Sequence, residues 1–386
     1  MNLRNKLRSL YDTYAKEHHF FSMLKVVKSF QLKKEDRDRV LMAWLEEHRH
    51  WHSFENHLHP LLQDIHEAWR DPEVKAEVEE ELQKRQITES GRDLLVIVAL
   101  FHDVVFDPRH SDHEKASARV FEKIFAGRDE EPWFALVRDT ILETELEVLP
   151  SSALAKVFNR LDARVLFSGT VFELLAYERL IAKEYQFVGY QVYQEGRLEF
   201  LRNWLSHHSE NQANLEYLVQ FVKHRELKVG LYAGTFNPYH IGHYNIVKKA
   251  EKIFDKVIIG VGVNPEKDES MQENVTERMK QVKDSSPFHE VVQYTGFLTD
   301  FIRSLPNFEN ICLIRGLRSS FDLNYETTQL RLMQDQYPGL NVVYLLCDYG
   351  YEHISSSSVR MLEDIEEGSS GKYLVWPEII FPTDER

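Results

Sequence analysis

The chain has 386 residues, 43% hydrophobic and 12% aromatic, which suits two globular domains better than one core. Its 47 lysines and arginines face 62 acidic residues, a formal net charge of −15 that argues against a general nucleic-acid binder, since no cationic surplus remains for phosphates. Two cysteines make no disulfide framework, and no apolar run is long enough to span a bilayer, so a cytoplasmic protein without a membrane partner is expected.

Residues 1 to about 224 read as helix, with apolar positions at helical spacing such as Leu41, Trp44 and Leu45. Fourteen of the eighteen histidines fall in this half, five of them between His48 and His59. The run 94–101 is apolar all round and predicts a buried helix that ends in His102-Asp103. An adjacent imidazole and carboxylate at such a helix end can both bind a divalent metal. Around this pair stand Glu46-Glu47-His48-Arg49-His50-Trp51-His52, then Asp107-Pro108, Asp112-His113-Glu114, Lys183-Glu184-Tyr185 and Gly196-Arg197.

These runs, from about residue 35 to 205, resemble a family of HD-domain metal-dependent phosphohydrolases. The resemblance implies an all-α HD-type helical domain over 1–205. It also implies a divalent transition-metal site made by His57, His102, Asp103 and Asp162. Three departures accompany it. Asn56 stands where the family histidine is expected, with His57 next door; Glu147 replaces a further histidine; and Asp162-Ala163-Arg164 brings a cation where a second aspartate is usual. Two readings stay open: a working hydrolase, or a degenerate scaffold acting as a non-catalytic regulatory or binding module. His48, His50 and His59 are expected to be exposed helix residues.

Segment 206–227 reads as a linker with a connecting helix at 215–224. Residues 228–386 then alternate between apolar runs and helical runs. Strands are predicted at 229–233, 257–263, 291–294, 311–314 and 342–346. Helices are predicted at 241–254, 275–284, 297–305, 321–336 and 356–366. This rhythm implies an α/β, Rossmann-like parallel sheet whose ligand sits outside the carboxyl ends of the strands. Four motifs fall on that rim: Gly234-Thr235-Phe236-Asn237-Pro238-Tyr239-His240-Ile241-Gly242-His243, Asn264-Pro265-Glu266-Lys267, Arg315-Gly316-Leu317-Arg318 and Ile354-Ser355-Ser356-Ser357-Ser358. Free N–H groups at helix starts, two histidines and three cations make a polyphosphate site. Taken singly, His243 has the lesser alternative of a helix-capping histidine, and the serine run has that of a plain N-cap or a flexible loop.

Together the motifs resemble phosphopantetheine adenylyltransferase, in the nucleotidyltransferase superfamily. The resemblance implies AMP transfer from ATP, with Mg²⁺, to 4′-phosphopantetheine, yielding dephospho-coenzyme A and pyrophosphate. His243, Lys267 and Arg315 would be catalytic. Thr235, Phe236, His240, His243, Gly316, Arg318, Tyr325, Glu326, Tyr351, Ser355, Ser356 and Ser357 would bind ATP. Thr235, Lys267, Leu298 and Arg315 would hold the acceptor. A homo-oligomer is open, since the extra domain is in a position to block family packing. Asn237, His240 and Met333 depart from the usual branch pattern, and His-x-Gly-His is more usual in relatives acting on nicotinamide mononucleotide. A nicotinamide or nicotinate mononucleotide acceptor is therefore the alternative.

Overall fold

The computed structural model describes residues 2–145, 148–263 and 270–382. The chain forms two compact units. One comprises residues up to Glu184, Leu205–Leu218 and the stretch from Glu378; the other comprises Tyr185–Trp204 and Val219–Pro377.

Among its described residues, the first unit is built of helices joined by loops, without a strand. Its centre is the helix Gly91–Phe101, where every residue from Leu94 to Phe101 is buried. An all-round apolar helix has no face to give to water, so its neighbours must enclose it. Trp44, Phe121 and Trp133 belong to the same core. Each such side chain contributes about 1.5–3 kcal/mol on full burial. Gly91 permits the packing, because a Cβ there would lie 2.5 Å from the Trp69 ring and 2.6 Å from Val78. The C-terminal stretch is tied into this unit: the Ile380 N–H donates to Glu46 Oε1 at 2.6 Å, and Phe381 is buried in the core.

The second unit carries a five-stranded parallel sheet: β1 (Val229–Gly234), β2 (Lys256–Val263), β3 (Glu290–Thr295), β4 (Ile311–Leu317) and β5 (Asn341–Leu346). Their order is β3-β2-β1-β4-β5. Helices Ile241–Ala250, Ser270–Ser285, Leu298–Ser304 and Ser320–Gln336 connect successive strands, and Ser356–Ile365 follows β5. The predicted elements are present. The first helix stops at Ala250, and the remaining residues before β2 form a turn in which the Ile253 and Phe254 N–H groups donate to Ala250 O. Strands one to three advance in one direction and β4 then pairs on the other side of β1, so the order reverses between β1 and β4. Open sheets of this kind bind ligands at that reversal. Cys312 lies in β4, Cys347 directly follows β5, and both thiols are free. Among the described residues, no helix is long and apolar enough to cross a membrane.

Candidate functional site

In the second unit the reversal point is a cavity of about 350 Å³. One wall is the start of helix Ile241–Ala250. His240 is its N-cap, and its Nδ1 accepts the Gly242 N–H at 3.1 Å. The His240 N–H in turn donates to His243 Nδ1 at 3.3 Å. Both imidazoles thus use Nδ1 as an acceptor, and each is left with Nε2–H as a donor. Their rings stack at 3.7 Å between centroids. Burial, with Arg318 nearby, lowers His240 to about 4. Burial, His240 and Arg318 hold His243 well below the ordinary histidine value. The pair is neutral at pH 7. Gly242 makes room for it, since a Cβ there would stand 3.1 Å from His240 Nδ1 and Cε1.

The opposite walls come from β4 and from the helix after β5. Gly316, Leu317 and Arg318 line the cavity, with Asp322, Tyr325 and Glu326 from the next helix. Arg318 pairs with Asp322 at 3.1 Å, which holds the guanidinium in place and keeps that carboxylate below its usual range despite its partial burial. Ser355 caps helix Ser356–Ile365 by accepting the Ser358 N–H at 3.1 Å, and Ser356 Oγ donates to Pro238 O at 3.0 Å. A helix start faces an anion favourably through its free N–H groups.

Of the residues expected to bind ATP, His240, His243, Gly316, Arg318, Tyr325, Glu326, Tyr351, Ser355 and Ser356 line this cavity. Thr235, Phe236 and Ser357 are not among its lining residues. Thr235 is exposed after β1, while Phe236 is buried with its ring edge-on to His243 at 5.1 Å. Ser357 Oγ accepts from Arg360. Arg315 lies beside the cavity, its Nε 3.1 Å from Glu326 Oε2. Leu298 begins the helix after β3, half-buried. Lys267 lies outside the described residues, as does the rest of its motif. Tyr232, Ile246 and Cys347 also line the cavity and escaped the sequence reading, while Ile354 lines it from the quoted serine motif. Tyr232 had a signal: it is an inner position of a strand that leads straight into the phosphate loop.

In the first unit, the four expected ligands converge. His57 Nε2 and His102 Nε2 are 3.2 Å apart. Asp162 Oδ1 lies 3.0 Å from His57 Nε2 and 3.1 Å from His102 Nε2. Asp103 Oδ2 lies 3.2 Å from His102 Nε2 and 3.9 Å from His57 Nε2. His102 Nδ1 is 3.0 Å from Ala99 O, so Nδ1 carries a proton donated to that carbonyl. Asp162 Oδ1 is buried yet has no donor in hydrogen-bonding geometry. Four donor atoms this close together, two imidazole nitrogens and two carboxylate oxygens, are directed at a common point between them. Burial pushes His102 down, but Asp103 and Asp162 outweigh it and hold it well above its ordinary value. Both carboxylates are held low by the imidazoles, against the upward push of burial. Two half-buried carboxylates set against two buried imidazoles demand a positive charge, and a divalent cation fits that demand as a proton does.

The offset at Asn56 has a structural cause. Phe54–Leu58 is a π turn, which holds one residue more than an α turn and presents His57 to the cluster while Asn56 is exposed. The Arg164 cation is paired with Asp64 at 2.8 Å and lies 3.6 Å from Glu173. Glu147 lies outside the described residues. The expectation for the other histidines fails. His48 is buried outside any helix, its Nε2 2.8 Å from Phe106 O, and burial lowers it to about 3. His50 is half-buried in the same loop, and His59 opens helix His59–Ala68, half-buried beside Glu17 at 2.8 Å. Two residues of the quoted runs acquire places beside the cluster. Buried Glu184 accepts the His50 and His52 N–H groups and lies 2.8 Å from His52 Nδ1, while His52 Nε2 stands 4.0 Å from Asp103 Oδ2.

Comparison with known proteins bears on the second unit. A cytidylyltransferase-like family model matches residues 231–362. Phosphopantetheine adenylyltransferase of Mycoplasma capricolum is 35% identical over 140 residues, 36% of this chain and 97% of that protein. The protein of the same name from Clostridium botulinum is 34% identical over 157 residues, 40% of this chain and 92% of its own length. The solved lipopolysaccharide core biosynthesis protein from Thermoplasma volcanium aligns at 15% identity over 32% of this chain and 98% of its own, with a TM-score of 0.22 that carries no argument.

Proposed function

The chain belongs, through its second unit, to the phosphopantetheine adenylyltransferase family, and from that premise we propose that it transfers AMP from ATP to 4′-phosphopantetheine, releasing pyrophosphate. The observation that carries this reading is the stacked, neutral His240–His243 pair, its Nε2–H donors on the same cavity as Arg318 and the Ser355-capped helix. An acceptor phosphate oxygen attacks the α-phosphorus of ATP, the bond to the β-phosphate bridging oxygen breaks, and pyrophosphate leaves. The protein supplies position and charge complementarity rather than a covalent partner. His243 donates to the α-phosphate oxygen on which charge grows. Arg318 and the helix start at Ser355–Ser356 hold the leaving phosphates. Tyr325, Glu326 and Tyr351 border the nucleotide, and ATP enters as its magnesium complex. Thr235, Leu298, Lys267 and Arg315 are assigned to the acceptor. Arg315 is partly neutralised by Glu326, so its hold on a phosphate depends on that pair opening or sharing.

The test is pyrophosphate release from ATP and Mg²⁺ with either 4′-phosphopantetheine or nicotinamide mononucleotide as acceptor. Turnover with the first acceptor is expected. Turnover only with the second would transfer the reading to the mononucleotide, and release with neither above a His243→Ala control would overturn it.

For the first unit, the convergent ligand atoms and the orphaned Asp162 oxygen support an HD-type metal-dependent phosphohydrolase. His57, His102, Asp103 and Asp162 would hold a divalent transition metal. Such an ion, when bound, supplies Lewis acidity and an acidified water for phosphoester hydrolysis. His102 is oriented by Ala99 O, and Glu184 orients His52 beside Asp103. Metal analysis of the purified chain, with hydrolysis of a phosphomonoester, tests this. Absence of both bound metal and hydrolysis would leave a helical scaffold.

A further inference from the structure

A second histidine cluster lies elsewhere in the first unit. His18 and His19 open the helix His18–Ser29, and His66 sits in the last turn of helix His59–Ala68. Ring centroids are 5.4 Å apart for His18 and His19, and 5.0 Å for each of them with His66. One nitrogen from each ring lies within 4.8 Å of the other two. His18 is exposed, and His19 and His66 are half-buried.

Three imidazoles packed face to edge with no carboxylate among them are an unusual way to join two helices. Stacked hydrocarbon would do it without polar atoms to satisfy. The defect is specific: His19 Nδ1 is buried and has no hydrogen-bond partner. A nitrogen in that state costs free energy unless something binds its lone pair or accepts its proton. Burial and the neighbouring imidazoles lower the pKa of His19, and burial with Arg70 lowers that of His66. Their rings are therefore neutral at pH 7, the form that offers a lone pair to a metal. Arg70 donates to His66 Nε2 at 3.2 Å, from an exposed position four residues on.

We propose that His18, His19 and His66 bind a divalent transition-metal ion that clasps the start of helix His18–Ser29 to the end of helix His59–Ala68. Three imidazoles suit zinc, nickel or copper rather than magnesium or calcium. Zinc bound by three histidines keeps a fourth position for water. The exposed side of His18 leaves that position open to solvent. Arg70 swings away from His66 when the ion enters.

The test compares the full chain with a His18→Ala/His66→Ala variant, in zinc. These side chains lie outside the buried core, and circular dichroism checks that the variant folds. Equilibrium dialysis is expected to give one fewer zinc per chain in the variant. Zinc is also expected to raise the melting temperature of the first unit more in the unaltered chain, because a ligand selective for the folded state stabilises it by mass action. Cobalt substitution should add tetrahedral visible bands that the variant lacks. An Arg70→Ala chain should bind zinc more tightly, since a competing donor and a like charge are removed. Equal zinc stoichiometry and equal thermal response in the two chains overturn the proposal. Because His57, His102, Asp103 and Asp162 are untouched in both chains, metal held there cancels in the comparison.

Discussion

Each unit of this protein brings two histidines together, and the two pairs have opposite electrostatic characters. In the first unit His57 and His102 converge on Asp103 and Asp162, and the carboxylates raise the His102 pKa. In the second, His240 and His243 stack beside Arg318 without a carboxylate, and both are pushed down. The same side chain therefore becomes a seat for a cation in one place and a neutral donor to an anion in the other. What decides is the nearest fixed charge, since burial alone lowers any imidazole.

The sharpest way to break this contrast is to remove the donor in the second unit. His243→Ala is expected to cut pyrophosphate release by about 10²–10³, the usual cost of losing one donor to developing charge. A loss below tenfold would mean that the donor acts elsewhere. In the first unit, Asp103→Asn removes half of the negative charge. Bound transition metal, measured by equilibrium dialysis, is expected to weaken by at least about 10–100-fold, the scale of even outer-sphere losses. Unchanged metal content would assign the ion to other residues. Arg318→Ala should act more mildly, raising KM for ATP about tenfold, in line with one lost charged hydrogen bond of about 1.5 kcal/mol. An effect confined to kcat would move Arg318 from binding to the transition state.

The smallest effect is also the most direct readout. Histidine NMR titration should find His240 protonating only as pH falls through about 4, while His102 in metal-free chain keeps its proton above the ordinary histidine range. The sign for stability follows. With a depressed folded pKa, His240 contributes stability that is complete above the unfolded value near 6.5 and is lost as pH falls through about 4. Thermal unfolding of the second unit should therefore show a falling midpoint on acidification across that window, and His240→Ala should flatten it. Ordinary midpoints for both histidines would erase the contrast.

Much of the second unit was legible because a parallel sheet writes itself as alternating apolar runs, and its rim is wherever each run ends. Three of the four rim motifs therefore send residues into one cavity, placed without any knowledge of side-chain geometry, while the fourth lies outside the described residues. What the sequence hid was partnership. Nothing in Arg315 announces that Glu326 lies against it, because the two meet through helix packing rather than spacing. Thr235 and Phe236 share a motif, yet one is exposed and the other packs under His243, a choice made by the backbone turn, where Phe236 has φ of +45°. In the first unit the apolar run at Leu94–Phe101 and the His-Asp pair were plain. His48 was misjudged because its loop has no periodicity to show which side faces inward, and the π turn at Phe54–Leu58 breaks the count that would place His57.

The hydrogen bonds that cap helix Ile241–Ala250 have a further consequence. The backbone N–H groups of His240 and Gly242 settle which nitrogen of each imidazole carries the proton. A first turn that has not wound leaves both rings free to adopt either tautomer, and half of the donors then point the wrong way. Turnover in this unit is therefore a reporter of local order. Heat or denaturant that frays this one turn should silence the chemistry before the sheet beneath it melts.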